Sequence, residues 1–317
     1  IDSLEKLIEV GDALVVSDNA LLLTIHDFPM LREVGSDVYI ANNAQLTDFS
    51  FSALLNVEGD ITIHNNALLR DITFSSLVEA GNSLTIKNNN SLNHIGDFAE
   101  LGSVAHNLKI ENNPSLTSLE GLNKLRDIGY VFYLQTNAEL EELSGLSSLV
   151  SVGSDLWIYN NNSLTNVDAL MSLSVIGSSV SIHNNNSLDN LDGLSSLTYL
   201  DGQLLISDNI GLTSIHGLIN ISVIASSLTL EGNTSLTNID GLGSLESVYG
   251  LIIQENTSLE HLDGLGSLRT IGYSLTLHSN PVLVDIMGLS TLEVINKDLS
   301  IRTNESLCQS DAESFSD

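Results

Sequence analysis

Short runs of alternating apolar and polar residues recur along the chain, each followed by apolar residues at every third position. Residues 180–200, VSIHNNNSLDNLDGLSSLTYL, carry the pattern. Val180 and Ile182 alternate with Ser181 and His183, which predicts a short strand with one face buried. After Asn185 the apolar positions are Leu188, Leu191, Leu194, Leu197 and Leu200. A helix wants apolar positions three and four apart. A strict spacing of three predicts a chain turning about a core in short extended or 3₁₀ pieces, with little helix.

The pattern repeats. LTIKNNNSL (84–92), LWIYNNNSL (156–164), LTLEGNTSL (228–236) and LSIRTNESL (299–307) share one register, with Asn at the sixth position. That register places asparagine at Asn19, Asn43, Asn66, Asn89, Asn113, Asn137, Asn161, Asn185, Asn209, Asn233, Asn256, Asn280 and Asn304, always 23 or 24 residues apart. A fixed period of this length is the signature of a solenoid, in which stacked coils bury together what none can bury alone. The expected fold is an all-β, right-handed solenoid of about 13 coils, since parallel crossovers wind right-handed. It is expected to run continuously over residues 1–307.

The asparagines have a structural role in this reading. Where the chain turns inward after each strand, backbone N–H and C=O groups lose sheet partners and must be satisfied. An Asn amide carries both a donor and an acceptor, so one per coil can pair with its own turn and with its neighbour. Only the middle residue of each Asn run is assigned a role. Six ladder residues, Asn161 among them, head N-x-S/T sequons, but a buried side chain cannot carry a glycan. Asn220 heads a sequon off the ladder and is the one candidate for glycosylation.

Composition narrows the function. Ten basic against 40 acidic residues give a formal charge of −30, which disfavours nucleic acid and anionic membrane surfaces as partners. No apolar run is long enough to span a bilayer, and no signal sequence is visible. The chain opens in mid-pattern and reads as a piece of a longer protein. A single cysteine, Cys308, excludes a disulfide framework or a cysteine zinc site within these residues. With 5% aromatics, a core of bulky rings is not expected.

The run Ile176-Gly177…Val180-x-Ile182-x-x-Asn185-x-Ser187-Leu188 resembles the leucine-rich-repeat superfamily, but its leucine after Asn comes one residue late and an Ile-Gly pair precedes the strand. That variant is similar to the receptor L domain. The resemblance covers nearly the whole chain and implies extracellular or cell-surface placement and a recognition surface. It also implies that Asn304-Glu-Ser-Leu307-Cys308 closes the last coil and that residues 308–317, with a capping box at Ser310–Glu313, begin a truncated C-terminal cap. Cys308 would then pair with a cysteine beyond Asp317; the alternative is an isolated thiol. Thirteen coils exceed the named receptors, and no kinase or cysteine-rich module is present, so a hormone-receptor role is not carried over.

A site should break the bland outward columns of the strands. Most outward positions are small or polar, but Lys109, Glu111, Tyr133, Gln135, Trp157, Tyr159 and His183 cluster on consecutive coils. Exposed aromatics beside polar groups suit protein or sugar recognition; the alternative is a cross-strand pair that only stabilises the sheet. Asp168, Asp192, Asp240 and Asp263 form a second column. They could hold Ca²⁺, but capping of the Asp-Gly-Leu turn is the favoured role. His64, His183 and His278 lie too many coils apart to cooperate in catalysis, and His26, His94, His106, His216 and His261 are expected to be solvated. The function expected is a non-enzymatic recognition or adhesion module for a protein or carbohydrate, without a cofactor, either monomeric or associating end to end. The other reading is a structural surface spacer with calcium or charge maintaining its solubility.

Overall fold

The computed structural model describes residues 4–307, so Cys308 and the capping box lie outside the described residues. The chain forms two compact units that divide after Asn162. Each is a stack of parallel β coils, with no α-helix among the described residues. The first unit carries seven core strands, from Leu14–Ser17 to Leu156–Tyr159. The second carries six, from Val180–His183 to Leu299–Arg302. Thirteen strands bound about twelve complete turns, close to the thirteen coils expected.

Within each unit the strands pair in parallel register, as Leu108↔Phe132 and Ile110↔Leu134 illustrate, with one shift in the second unit between Ile224 and Ser227. Inward residues such as Leu108, Ile110, Leu134 and Ile158 are fully buried. Each buried aliphatic side chain contributes about 1.5–3 kcal/mol relative to exposure. In the first unit, two-residue strands such as Glu79–Ala80 and Ser103–Val104 form a second parallel sheet.

The third side of the coil changes along the chain. Its first three coils carry a small sheet of Thr24–Ile25, Asp48–Ser50 and Asp71–Thr73. The second unit carries six 3₁₀ turns there, from Asp168–Leu170 to Met287–Leu289. Phe28, Phe51, Phe74 and Phe98 stack at coil spacing inside the first unit, with centroids 5.1–5.6 Å apart. An aromatic core therefore exists, contrary to the expectation from composition. The few rings are concentrated in one column rather than spread evenly.

The asparagine ladder forms as expected. Asn43, Asn66, Asn89, Asn113, Asn137 and Asn161 in the first unit, and Asn185, Asn209, Asn233, Asn256 and Asn280 in the second, are fully buried. The backbone N–H of each donates to the Oδ1 of the next within its unit, at 2.9–3.2 Å. Within each unit, Nδ2 donates back to a strand carbonyl of the preceding coil, as from Asn137 to Ile110 at 2.9 Å. Asn19 is exposed and Asn304 half-buried.

The residue before each ladder asparagine also has a fixed role, which the reading of the Asn runs missed. In all thirteen coils it is left-handed, with φ between 51° and 64°. Asn and Gly tolerate this region best. In the first unit these residues form a second, exposed zipper: Asn42 Nδ2 donates to Asp18 Oδ1, Asn65 to Asn42, Asn88 to Asn65 and Asn112 to Asn88, at 2.8–3.0 Å. The first residue of NNN is thus fixed by backbone conformation and the middle one by burial.

Two stability changes follow. Asn137→Leu removes the acceptor of the Asn113 N–H and the donor to the Ile110 carbonyl. It should cost about 3 kcal/mol, since each orphaned buried group costs about 1–3 kcal/mol; a urea midpoint within error of the parent would contradict the ladder's role. Thr136 interrupts the exposed zipper with a β-branched residue at φ 58°. Thr136→Asn should raise stability by about 1 kcal/mol by relieving left-handed strain, read as a higher urea midpoint.

Candidate functional site

The outward face of the first unit brings six of the seven candidate residues together. The register pairs Lys109 with Tyr133 and Tyr133 with Trp157 in one row. It pairs Glu111 with Gln135 and Gln135 with Tyr159 in the next. The strands Leu108–Glu111, Phe132–Gln135 and Leu156–Tyr159 stand side by side because the ladder fixes their register.

The rings touch. Tyr133 and Trp157 have centroids 5.6 Å apart at 56°, and Trp157 and Tyr159 are 6.4 Å apart at 60°. Lys109 Nζ lies 5.5 Å from the Tyr133 centroid, a cation–π contact of about 0.5–1 kcal/mol at an exposed site. Tyr133, Trp157, Gln135 and Tyr159 are half-buried. Each ring therefore packs on a neighbour and keeps part of its surface open.

Glu111 differs from the expectation of an exposed outward residue. It is only 9% exposed and pairs with Lys87 Nζ at 3.2 Å. It supports the patch more than it presents a contact. Burial pushes the Tyr159 phenol above its ordinary value, and the charges of Glu111 and Tyr133 push it the same way. The phenol keeps its proton at neutral pH and remains a donor.

One polar atom in the cluster is unsatisfied. Trp157 Nε1 is covered and has no hydrogen-bond partner among the described residues. A buried donor without an acceptor costs about 1–3 kcal/mol, so pure stability does not favour an indole here.

His183, the seventh candidate, lies in the second unit on the strand Val180–His183. It is half-buried, and burial holds its imidazole below the ordinary histidine value while the Asp208 carboxylate partly opposes this. A second aromatic pair on the first unit went unnoticed: Tyr39 Oη meets His64 Nε2 at 2.8 Å. It was legible as Tyr and His in neighbouring outward columns, two residues out of register.

The acidic column needs correction. Asp168, Asp192 and Asp240 do not cap their turns with their side chains. Their N–H groups are capped from two residues earlier, by Asn166, Asn190 and Asn238 Oδ1 at 3.1–3.2 Å. Ser214 and Asp285 do the same for His216 and Met287. Five of the six turns carry a glycine after the first residue, and it is required there: a Cβ at Gly193, Gly217, Gly241, Gly264 or Gly288 would lie 1.8–1.9 Å from a carbonyl oxygen of the preceding coil. Among the described residues no three His, Cys, Asp or Glu side chains, Asp263 included, converge as metal ligands.

Two turn histidines are partly exposed, as expected, and each also pairs with a carboxylate. His261 Nδ1 meets Asp285 at 3.0 Å, and this hydrogen bond raises its pKa. His94 Nε2 meets Asp71 at 3.1 Å, while its Nδ1 accepts the Gly96 N–H at 3.1 Å. Ser118 is the bridge partner of His94, but both ring nitrogens of His94 are already engaged. The three residues do not form a proton relay toward the hydroxyl. Asn220 is exposed, with Nδ2 donating to the Ser195 carbonyl at 2.8 Å.

No protein-family model matches the chain, and no curated protein matches it. No helix among the described residues is long and apolar enough to cross a membrane.

Proposed function

We propose that the chain is a recognition module that binds a protein or carbohydrate ligand on the outward face of the first unit, centred on Trp157. The supporting observation is the contiguous Tyr133–Trp157–Tyr159 cluster, half-open to solvent, with Lys109 and Gln135 beside it. Aromatic residues of this kind dominate binding energy at interfaces. Their flat faces pack on sugar rings or side chains, and the neighbouring ammonium, amide and phenol supply directional contacts.

The extracellular or cell-surface setting rests on the resemblance to receptor L-domain repeats and on the charge of −30, which suits a well-solvated surface protein. The same charge makes nucleic acid an unfavourable partner. The spacer reading has one observation in its favour: the rings contact one another across neighbouring strands and so stabilise the sheet by themselves.

A glycan and protein binding array identifies a ligand, and Trp157→Ala then decides between the readings. Loss of a central aromatic anchor costs about 2 kcal/mol or more, so affinity should fall by about thirtyfold with folding retained. An affinity equal to the parent's would remove Trp157 from the site, and a lowered melting temperature with no ligand found on the array would support the spacer.

A further inference from the structure

The left-handed column that precedes the ladder is built in two ways. In the first unit Asp18, Asn42, Asn65, Asn88 and Asn112 zip together through their side chains. In the second unit the same column reads Asn184, Asp208, Gly232, Glu255, Ser279 and Thr303, with the same backbone conformation at φ 54–64°; Asn184 Nδ2 meets His183 Nδ1 at 3.1 Å, and the five positions from Asp208 onward carry no zipper. Their backbone N–H groups remain bonded to the next coil, as Gly232 to Gln254 and Glu255 to His278, both at 3.1 Å. The four side chains from Asp208 onward have no hydrogen-bond partner among the described residues. The fold therefore uses the backbone of this column and leaves its side chains free.

Along this stretch of the second unit, from Asp208 to Thr303, lies a groove of about 480 Å³. Four coil steps separate Asp208 from Thr303, which at about 4.8 Å per step is roughly 19 Å. An extended chain covers that length in about six residues at 3.3 Å each. Ile210 and Pro281 give the groove an apolar component, and Thr234, Thr257 and Ser279 also line it. Asp208, Glu255 and Glu305 supply three carboxylates, and no basic residue lines it. The groove is open, long, anionic and partly apolar.

We propose that this groove binds an extended peptide segment rich in lysine or arginine. The carboxylates pair with the cationic heads, and the aliphatic stems pack on Ile210 and Pro281. Asn at these positions would suit the left-handed backbone and link neighbouring side chains along the groove, as Asn42, Asn65, Asn88 and Asn112 do in the first unit. The second unit instead carries Glu255, Ser279 and Thr303 there, residues that adopt this conformation less readily. This site lies in the other unit from Trp157 and does not depend on the role proposed for it.

The test titrates a short labelled peptide alternating Lys and Ala against the parent chain, with the Glu-Ala counterpart and an uncharged oligosaccharide as comparisons. The basic peptide should bind, weaken as salt rises, and lose at least tenfold in affinity in G232N/E255N/S279N. That variant restores the zipper and changes one of 40 acidic residues, so the general acidity of the surface is preserved. At Gly232 the added Cβ meets the Asp208 carboxylate, the movable end of a flexible side chain, in the arrangement that Asp18 and Asn42 already adopt. Should this variant fail to fold, D208N/E255Q/E305Q removes the charges alone and should show the same loss. Trp157→Ala should leave peptide binding unchanged. Equal affinity in parent and groove variants, absence of peptide binding, or preference for the oligosaccharide would each overturn the proposal.

Discussion

Within each unit, a buried ladder asparagine reaches back to the coil before it with both ends of its amide. Its Oδ1 accepts the backbone N–H of the preceding ladder residue, and its Nδ2 donates to a strand carbonyl in that coil, as Asn66 does with Asn43 and Ile40. A strand that turns inward leaves these backbone groups without sheet partners, and water does not reach them. The side chain must therefore carry a donor and an acceptor in one small planar group, at one position per coil. Register, period and inward alternation follow from that requirement. Shifting a strand by one residue would break the ladder and turn its aliphatic residues outward.

Because the ladder fixes register, the outward positions are free to vary. The strands need Leu156, Ile158 and Asn161 inside; they do not need Trp157 or Tyr159 outside. Binding surfaces on such a frame arise from what is placed on it. On the first unit, rings added to adjacent strands meet in a cluster. On the second, side chains of the left-handed column that do not zip together line a groove. Both are departures from the regular repeat.

The sequence was most legible where packing repeats. Aliphatic alternation, the spacing of three and the thirteen asparagines mark the coils, and strand register makes Tyr133 and Trp157 neighbours. It was less legible where one residue type has several physical uses. Asn160 and Asn161 are identical in letters, but one turns the chain left-handed and the other is buried. In Asp-Gly-Leu the acidic residue drew the eye, while the glycine answers the close approach of the coil before it. The burial of Glu111 depends on how Lys87 folds over it, and the groove is lined by side chains that do not zip together. Neither property has a signature in periodicity.

Side-chain amide exchange, followed by NMR in deuterated solvent, tests the ladder most directly. If the ladder is the constraint, the Nδ2 protons of Asn66, Asn89 and Asn113 exchange only on global opening of the fold. Those of their neighbours Asn65, Asn88 and Asn112, in the exposed zipper, exchange many-fold faster. Equal exchange at the two sets would mean that the buried amides do not hold the coils together, and would contradict the central role given to them.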